Sequence, residues 1–193
     1  MDLPVLYDSC RTYRRFLQKP LEPGLLRTLV DVARKRSCGR NSQWLRFVAV
    51  EQPENVKAMQ PLLHWAAALP KEIGTPKEGG TASGFCGGGQ TPECLAHDQR
   101  HRSGDRPGCH VAITAWQKEV GSAILAAVDR KKIAALLEIP EELEVNIVLA
   151  LGYPAHKSNL VSGEKGKSLD YYVDENRDYY VPKLPLEKVA EFK

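Results

Sequence analysis

The chain has 193 residues, 42% hydrophobic and 26% charged, with a net charge of +3. That length suits one domain with a real core rather than two ordinary ones, and the composition is that of a folded globular protein. The charge is too small to argue for nucleic-acid or anionic-membrane binding, no apolar run is long enough to span a membrane, and the N-terminus MDLPVLYDSCRTYRR lacks a signal peptide's apolar core, so a cytoplasmic protein is expected.

The five cysteines are odd in number and irregularly spaced, which is no disulfide framework, and most of them read as free thiols. Tyr7 to Phe16 (YDSCRTYRRF) packs Arg11, Arg14 and Arg15 around Thr12 and Tyr13, with no acidic residue after Asp8. In an extended segment alternate side chains share a face, so Thr12 and Arg14 point together and Arg11 lies with Arg15 on the other side or at a turn. Fixed, permanently charged guanidinium donors suit a phosphate or an electron-rich ring edge, and a solvated basic face before a helix is the alternative.

Within Pro20 to Ser37, Leu25, Leu26, Leu29, Val30, Val32 and Ala33 recur at helical spacing. Pro23 stands at the first turn, and Arg34, Lys35 and Arg36 stand in the last, where they complement the helix dipole. The helix closes on a polar turn, Ser37-Cys38-Gly39, bearing Asn41 and Gln43, which runs into a strand at Phe47 to Val50. Such a turn presents amides at one edge of a core and reads as a ligand cradle. Pro53 to Ala68 reads as helical, with Val56, Met59, Leu63 and Ala67 on one face and Pro61 as a break; His64 reads as a satisfied, partly buried histidine. Ile73 to Gly80 is a polar connection.

Residues 79–110 are anomalous. GGTASGFCGGGQTPECLAHDQRHRSGDRPGCH has almost no aliphatic residue and neither helical nor strand period, where a core calls for a strand. Three readings stand. Cys86, Cys94, His97, His101, Cys109 and His110 offer zinc ligands, although without paired CxxC spacing. The segment is otherwise a lid or disordered insertion. The third reading is a frame error: Gly codons are GGN, and consecutive Gly codons ending in T, read one base later, give GTG and hence Val. A one-base shift over Gly80 to Gln90 permits Glu-Arg-Pro-Pro-Ala-Phe-Val-Val-Val-Ala, a turn and a buried strand.

Apolar pattern returns at Val111. VAITAWQKEVGSAILAAV reads as the end of a core helix stopped by Gly121, followed by a strand from Ala123 to Val128. Asp129 caps a helix over Arg130 to Leu137, and Val145 to Leu151 is the clearest strand. Ala155 to Lys167 reads as a surface excursion. The tail forms a hairpin around Asp174 to Asp178 and then a short helix.

RTYRRF near the N-terminus, the helix ending in SCGRNSQWLRFVAV, and the later VNIVLALGYP followed by VPKLPLEKV together resemble the nitroreductase family of flavin enzymes. The resemblance covers roughly residues 3–73 and 120–193. It implies an α+β fold, a mainly antiparallel central sheet flanked by helices, in an intertwined homodimer with two FMN molecules at the subunit interface. It places the cofactor-binding positions on Arg11, Thr12 and Arg14, with Cys10 standing where arginine is common. Ser37, Asn41 and Gln43 match residues that reach the flavin from the partner subunit, and Trp44 stands where the family has proline. Ala126 and Ala127 match a strand whose backbone passes the flavin ring; small residues in a packed core strand explain them equally. Lys183 falls near the FMN phosphate position, where arginine is more usual.

The implied activity is an FMN-dependent oxidoreductase that takes hydride from NADH or NADPH and reduces a nitroaromatic, a quinone or a similar small-molecule acceptor, with a positive group near the flavin pyrimidine stabilising the reduced ring. No catalytic side chain and no metal ligand are assigned. A flavin-binding protein without turnover and a zinc-binding interaction module are the alternatives.

Overall fold

The computed structural model describes residues 2–37, 39–66, 68–90 and 105–193. Helix α1 (Leu3–Ser9) leads through the extended arginine segment to α2 (Leu25–Arg34). Strand β1 (Leu45–Val50), helix α3 (Pro53–Met59), one turn of 3-10 helix (Gln60–Leu62) and the short α4 (Lys71–Gly74) follow. Then come β2 (Gly84–Gln90), α5 (Asp105–Trp116), β3 (Gly121–Leu125), α6 (Arg130–Leu136) and β4 (Glu144–Gly152). The C-terminal part holds β5 (Ser158–Ser162), β6 (Tyr172–Val173) and β7 (Tyr179–Lys183).

The main sheet has the order β1-β2-β4-β3, and every pairing in it is antiparallel. Side chains alternate between its faces, so it has two cores. Val50, Phe85, Val148 and Ala150 are buried with Met59, Leu63 and Ile133, under α3 and α6. Cys86, Ile147, Leu149 and Leu151 are buried with Leu25, Leu26, Leu29, Val111 and Ala115, under α2 and α5. The result is an α+β architecture with helices on both faces of an antiparallel sheet, as expected. A second, smaller sheet has the order β5-β7-β6, with β5 parallel to β7.

Several local expectations change for identifiable reasons. The sequence shows no strand period in GFCGGGQ, yet this segment is an interior strand of the main sheet, bonded to β1 on one side and β4 on the other. Glycine is a poor strand former, but it raises no steric objection to an extended backbone, and two neighbours supply the hydrogen bonds. Phe85 (0% exposed) and Cys86 (2%) anchor it, one on each core. This strand, Gly84–Gln90, falls at the position where the frame-error reading expects one.

The core helix before β3 ends at Trp116, earlier than Gly121, because Glu119 adopts a left-handed φ of 58° and turns the chain. Gly121 is instead the first residue of β3. Pro23 lies just outside α2, whose N-cap is Gly24 at φ 78°. Pro61 does end α3, in the 3-10 turn. His64 is exposed. Ala155 to Lys167 contains β5, an edge strand that pairs in parallel with β7 despite a polar sequence. Asp129 caps α6 by accepting from the Lys132 amide at 3.2 Å. The hairpin expected near Asp174 is present, with the Asp174 amide donating to the Asp178 carbonyl at 3.1 Å.

Candidate functional site

The arginine segment is laid as an extended strip across one end of the main sheet, and two glycines make its seat. A side chain at Gly121 would meet the Tyr13 ring at 2.7 Å, and one at Gly152 would meet the Phe16 ring at 2.8 Å. These two glycines are register partners in β3 and β4, so Tyr13 and Phe16 sink into one gap. Tyr13 stacks on Trp116 with ring centroids 4.9 Å apart, and Trp116 Nε1 donates to Ser9 Oγ at 2.9 Å, which ties α1 and α5 to the strip. Burial pushes the Tyr13 hydroxyl up to about 12, with the neighbouring Cys10 thiol adding to the rise and Arg11 opposing it.

The backbone of the strip is held at nearly every step. Thr12 bridges to Ser122 in parallel, and the Tyr13 amide donates to the Ser122 carbonyl at 2.8 Å. The Arg14 amide donates to His156 Nε2 at 3.0 Å. The Ala155 amide donates to the Arg15 carbonyl at 3.0 Å, and the Phe16 amide to the Gly80 carbonyl at 3.0 Å. With Tyr13 and Phe16 buried, Arg11, Arg14 and Arg15 are half-buried and Thr12 is exposed.

Each arginine has a different environment. Arg11 Nη2 donates to the Tyr7 carbonyl, while its Nε is buried with no hydrogen-bond partner. The Arg14 guanidinium lies over Tyr171 (4.4 Å to the ring centroid) and Tyr179 (5.0 Å). Arg15 Nε is likewise buried with no hydrogen-bond partner, while its Nη2 donates to the Arg177 carbonyl at 2.6 Å, and Arg177 Nη2 donates in turn to the Ile73 carbonyl at 2.6 Å. Arg15 therefore serves as a structural strut between the strip and the C-terminal hairpin.

His156, which the sequence did not single out, stands at the centre of this arrangement. It is 9% exposed, between Tyr13 (5.3 Å) and Tyr179 (4.6 Å). Its Nδ1 lies 2.8 Å from the Lys157 carbonyl, an acceptor, so Nδ1 carries the proton and Nε2 has the lone pair that receives the Arg14 amide. Burial pushes its pKa down to about 4; the Lys157 hydrogen bond opposes that fall, and the charges of Arg15 and Arg14 add to it. A lone histidine after GYPA carries no local signal of this role, because its partners come from the two ends of the chain.

The amide-bearing turn lies elsewhere. Ser37, Asn41 and Gln43 are exposed, and Arg40, Asn41 and Gln43 take left-handed φ values of 56°, 51° and 48°. Such values cost little for asparagine and more for arginine and glutamine, and clustered backbone strain of this kind is concentrated at functional loops. The turn is braced by Arg46 Nη1, which donates to the Gln43 carbonyl at 2.9 Å, and by Gln43 Nε2 to the Asn41 carbonyl at 3.5 Å. It precedes Leu45, which is in register with Gln90, and Gln90 with Glu144. The arginine strip lies by Gly152, at the other end of β4, roughly 25 Å away along the strand.

Ala126 and Ala127 are exposed just past β3; their carbonyls accept from Arg130 Nη2 (3.1 Å) and from the His64 amide (3.0 Å). Lys183 is exposed at the last position of β7, about 13 Å along the strand from Tyr179. The structure thus brings Arg11, Thr12 and Arg14 onto one strip, and within one chain it does not bring the Asn41–Gln43 turn to them.

Among the described residues no group of three or more His, Cys, Asp or Glu side chains is placed to hold a metal. Cys94, His97 and His101 lie outside the described residues, as do Cys38 and Ala67. Cys86 is buried in apolar surroundings that push its thiol up to about 11, a structural rather than a reactive cysteine. No helix is long and apolar enough to cross a membrane among the described residues.

No family model matches this sequence, and no curated protein matches it. Solved structures do. A nitroreductase family protein from Clostridium difficile 630 superposes with a TM-score of 0.67 at 14% identity, covering 100% of this chain and 99% of its own. The nitroreductase family protein from Streptococcus pneumoniae TIGR4 gives 0.66 at 14% identity, covering 100% of both chains. Iodotyrosine deiodinase, in a structure with FMN and 3-iodo-L-tyrosine, gives 0.66 at 18% identity, covering 86% of this chain and 97% of its own. The α+β fold in which the glycine-seated arginine strip is embedded is the nitroreductase fold.

Proposed function

We propose that the protein is a homodimeric FMN-dependent oxidoreductase that uses NADH or NADPH to reduce a small acceptor such as a nitroaromatic or a quinone. The observation that carries this reading is the buried, unpartnered Nε of Arg11 beside Thr12 and Arg14. An unsatisfied buried donor is costly, and an anionic ligand oxygen would relieve it. The donor set fits FMN: guanidinium groups and a hydroxyl suit the phosphate or the pyrimidine edge, and the amides of Asn41 and Gln43 suit the ring's polar edge. The deiodinase of the same fold was solved with FMN.

Bound FMN would supply the redox chemistry, accepting hydride from the nicotinamide and passing electrons to the acceptor. The protein's part is binding and electrostatics. Arg11 and Arg14, permanently charged, would stabilise negative charge that develops on the ring. Thr12 would orient the ligand through its hydroxyl, and the small side chains of Ala126 and Ala127 would permit close approach of a planar ring. Lys183 would add positive charge toward the phosphate from the C-terminal arm. The separation between the arginine strip and the turn at Ser37, Asn41 and Gln43 supports a site completed by a second copy of the chain.

The test is the visible spectrum of purified protein after incubation with FMN and desalting, followed by anaerobic NAD(P)H. A retained flavin spectrum that bleaches with NAD(P)H is expected. Well-folded dimer that retains no flavin would overturn the reading.

A further inference from the structure

His156 lies at the seam between the arginine strip and the small C-terminal sheet. The amides of Tyr13, Phe16 and Leu17 donate to main-chain carbonyls of Ser122, Gly80 and Tyr153, whereas the Arg14 amide donates to a side chain, His156 Nε2. The imidazole is oriented from behind by Lys157, whose carbonyl fixes the proton on Nδ1. One face of the ring meets Tyr179, the same tyrosine over which the Arg14 guanidinium lies. Backbone and side chain of Arg14 are therefore fixed by two adjoining groups of the C-terminal half, His156 and Tyr179.

We propose that His156 is a positioning residue for cofactor binding: its neutral imidazole holds the Arg14 backbone so that the arginine strip is ordered before an anionic, phosphate-bearing flavin arrives. The inference rests on the FMN reading above. Its physical basis is preorganisation. A strip carrying several flexible arginines must otherwise be ordered at the moment of binding, and that ordering subtracts from affinity. Removing the acceptor also strands a part-buried amide, which recovers a partner only by shifting toward water and taking Arg14 with it. The guanidinium would then leave the tyrosine faces that set its plane.

The experiment compares wild type, His156→Gln and His156→Phe. Glutamine places an amide oxygen near the Nε2 position, while phenylalanine keeps a flat ring and removes the acceptor. FMN dissociation constants come from fluorescence quenching of the apo proteins, and Arg14 amide exchange is followed by NMR in the absence of flavin. The phenylalanine variant is expected to bind FMN about tenfold more weakly and to exchange the Arg14 amide faster. The glutamine variant is expected to stay within about threefold of wild type with the amide protected.

Equal FMN affinity of wild type and His156→Phe would overturn the inference alone. So would weakening in both variants with the Arg14 amide still protected, since the loss would then not run through that hydrogen bond. If the phenylalanine variant does not fold, imidazole nitrogen shifts of the wild type decide: a protonated Nε2 at neutral pH overturns the proposal, and an unprotonated Nε2 with glutamine rescue supports it. Wild type that binds no FMN removes the functional reading, and this inference with it.

Discussion

Gly121 and Gly152 face each other across β3 and β4, and each is the space occupied by an aromatic ring of the N-terminal strip, Tyr13 for the first and Phe16 for the second. A methyl group added to either would lie within 3 Å of ring carbons whose burial leaves them no room to retreat. Gly121→Ala and Gly152→Ala are each expected to lower stability by about 1–3 kcal/mol through overpacking. Gly80→Ala is the control, because its added carbon meets only the Lys77 carbonyl at 3.5 Å; it should change stability by less than about 0.5 kcal/mol. Urea denaturation of the three variants checks the ranking.

Gly87 has the opposite prospect. A side chain there would find nothing nearer than 3.9 Å, and it borders an apolar pocket lined by Val48, Val50, Met59, Ile133 and Val148. Gly87→Ala is expected to raise stability by about 0.5–1 kcal/mol, by restricting the unfolded chain and favouring the strand. Gly84→Ala, whose added carbon would touch Leu21 at 3.0 Å, should not. Thermal melts of the two side by side measure this; a destabilised Gly87→Ala would show that β2 is not seated as described.

Acid should weaken the fold through His156. Its folded pKa of about 4 lies below the ordinary 6.5, so between these values the unfolded chain binds a proton that the folded chain refuses. Stability from this group is therefore full above about pH 6.5 and falls by up to about 3 kcal/mol as the pH drops to 4. The charged groups facing the ring are Arg14, Arg15 and Asp178, and only the last favours protonation. Asp31 and Asp129, held below the usual carboxylate range by Lys35 and Lys132 first, lose their contribution only below pH 3.8, outside this window. Denaturation midpoints from pH 4 to pH 7 should slope in wild type and flatten in His156→Gln.

If the cofactor site is completed across two copies, defects at its two ends should complement. Arg11→Ala and Asn41→Ala homodimers are each expected to lose FMN affinity by about tenfold or more, the cost of a charged or polar ligand contact. A mixed dimer would combine both defects in one site and leave the other intact, restoring half of the flavin at saturation. Absence of any restoration in a verified heterodimer would argue that both ends act within one chain.

The elements with strong local period were legible from the chain itself. The apolar face of Leu25 to Ala33, the run Val145 to Leu151 and the Asp129 cap each depend on neighbours a few residues away, so spacing alone determined them. The same holds for the arginine cluster as a chemical feature, and for Asn41 and Gln43 as donors on a turn. Tertiary structure decided the rest because the decisive partners are distant in sequence. GFCGGGQ is a strand because β1 and β4 bond it from both sides, against its own propensity. Gly121 is a seat for Tyr13 rather than a helix stop, a role defined by a ring more than a hundred positions earlier. His156 acquires its importance from the Arg14 amide in the same way, since a hydrogen bond that closes the two ends of a chain leaves no periodic trace in either.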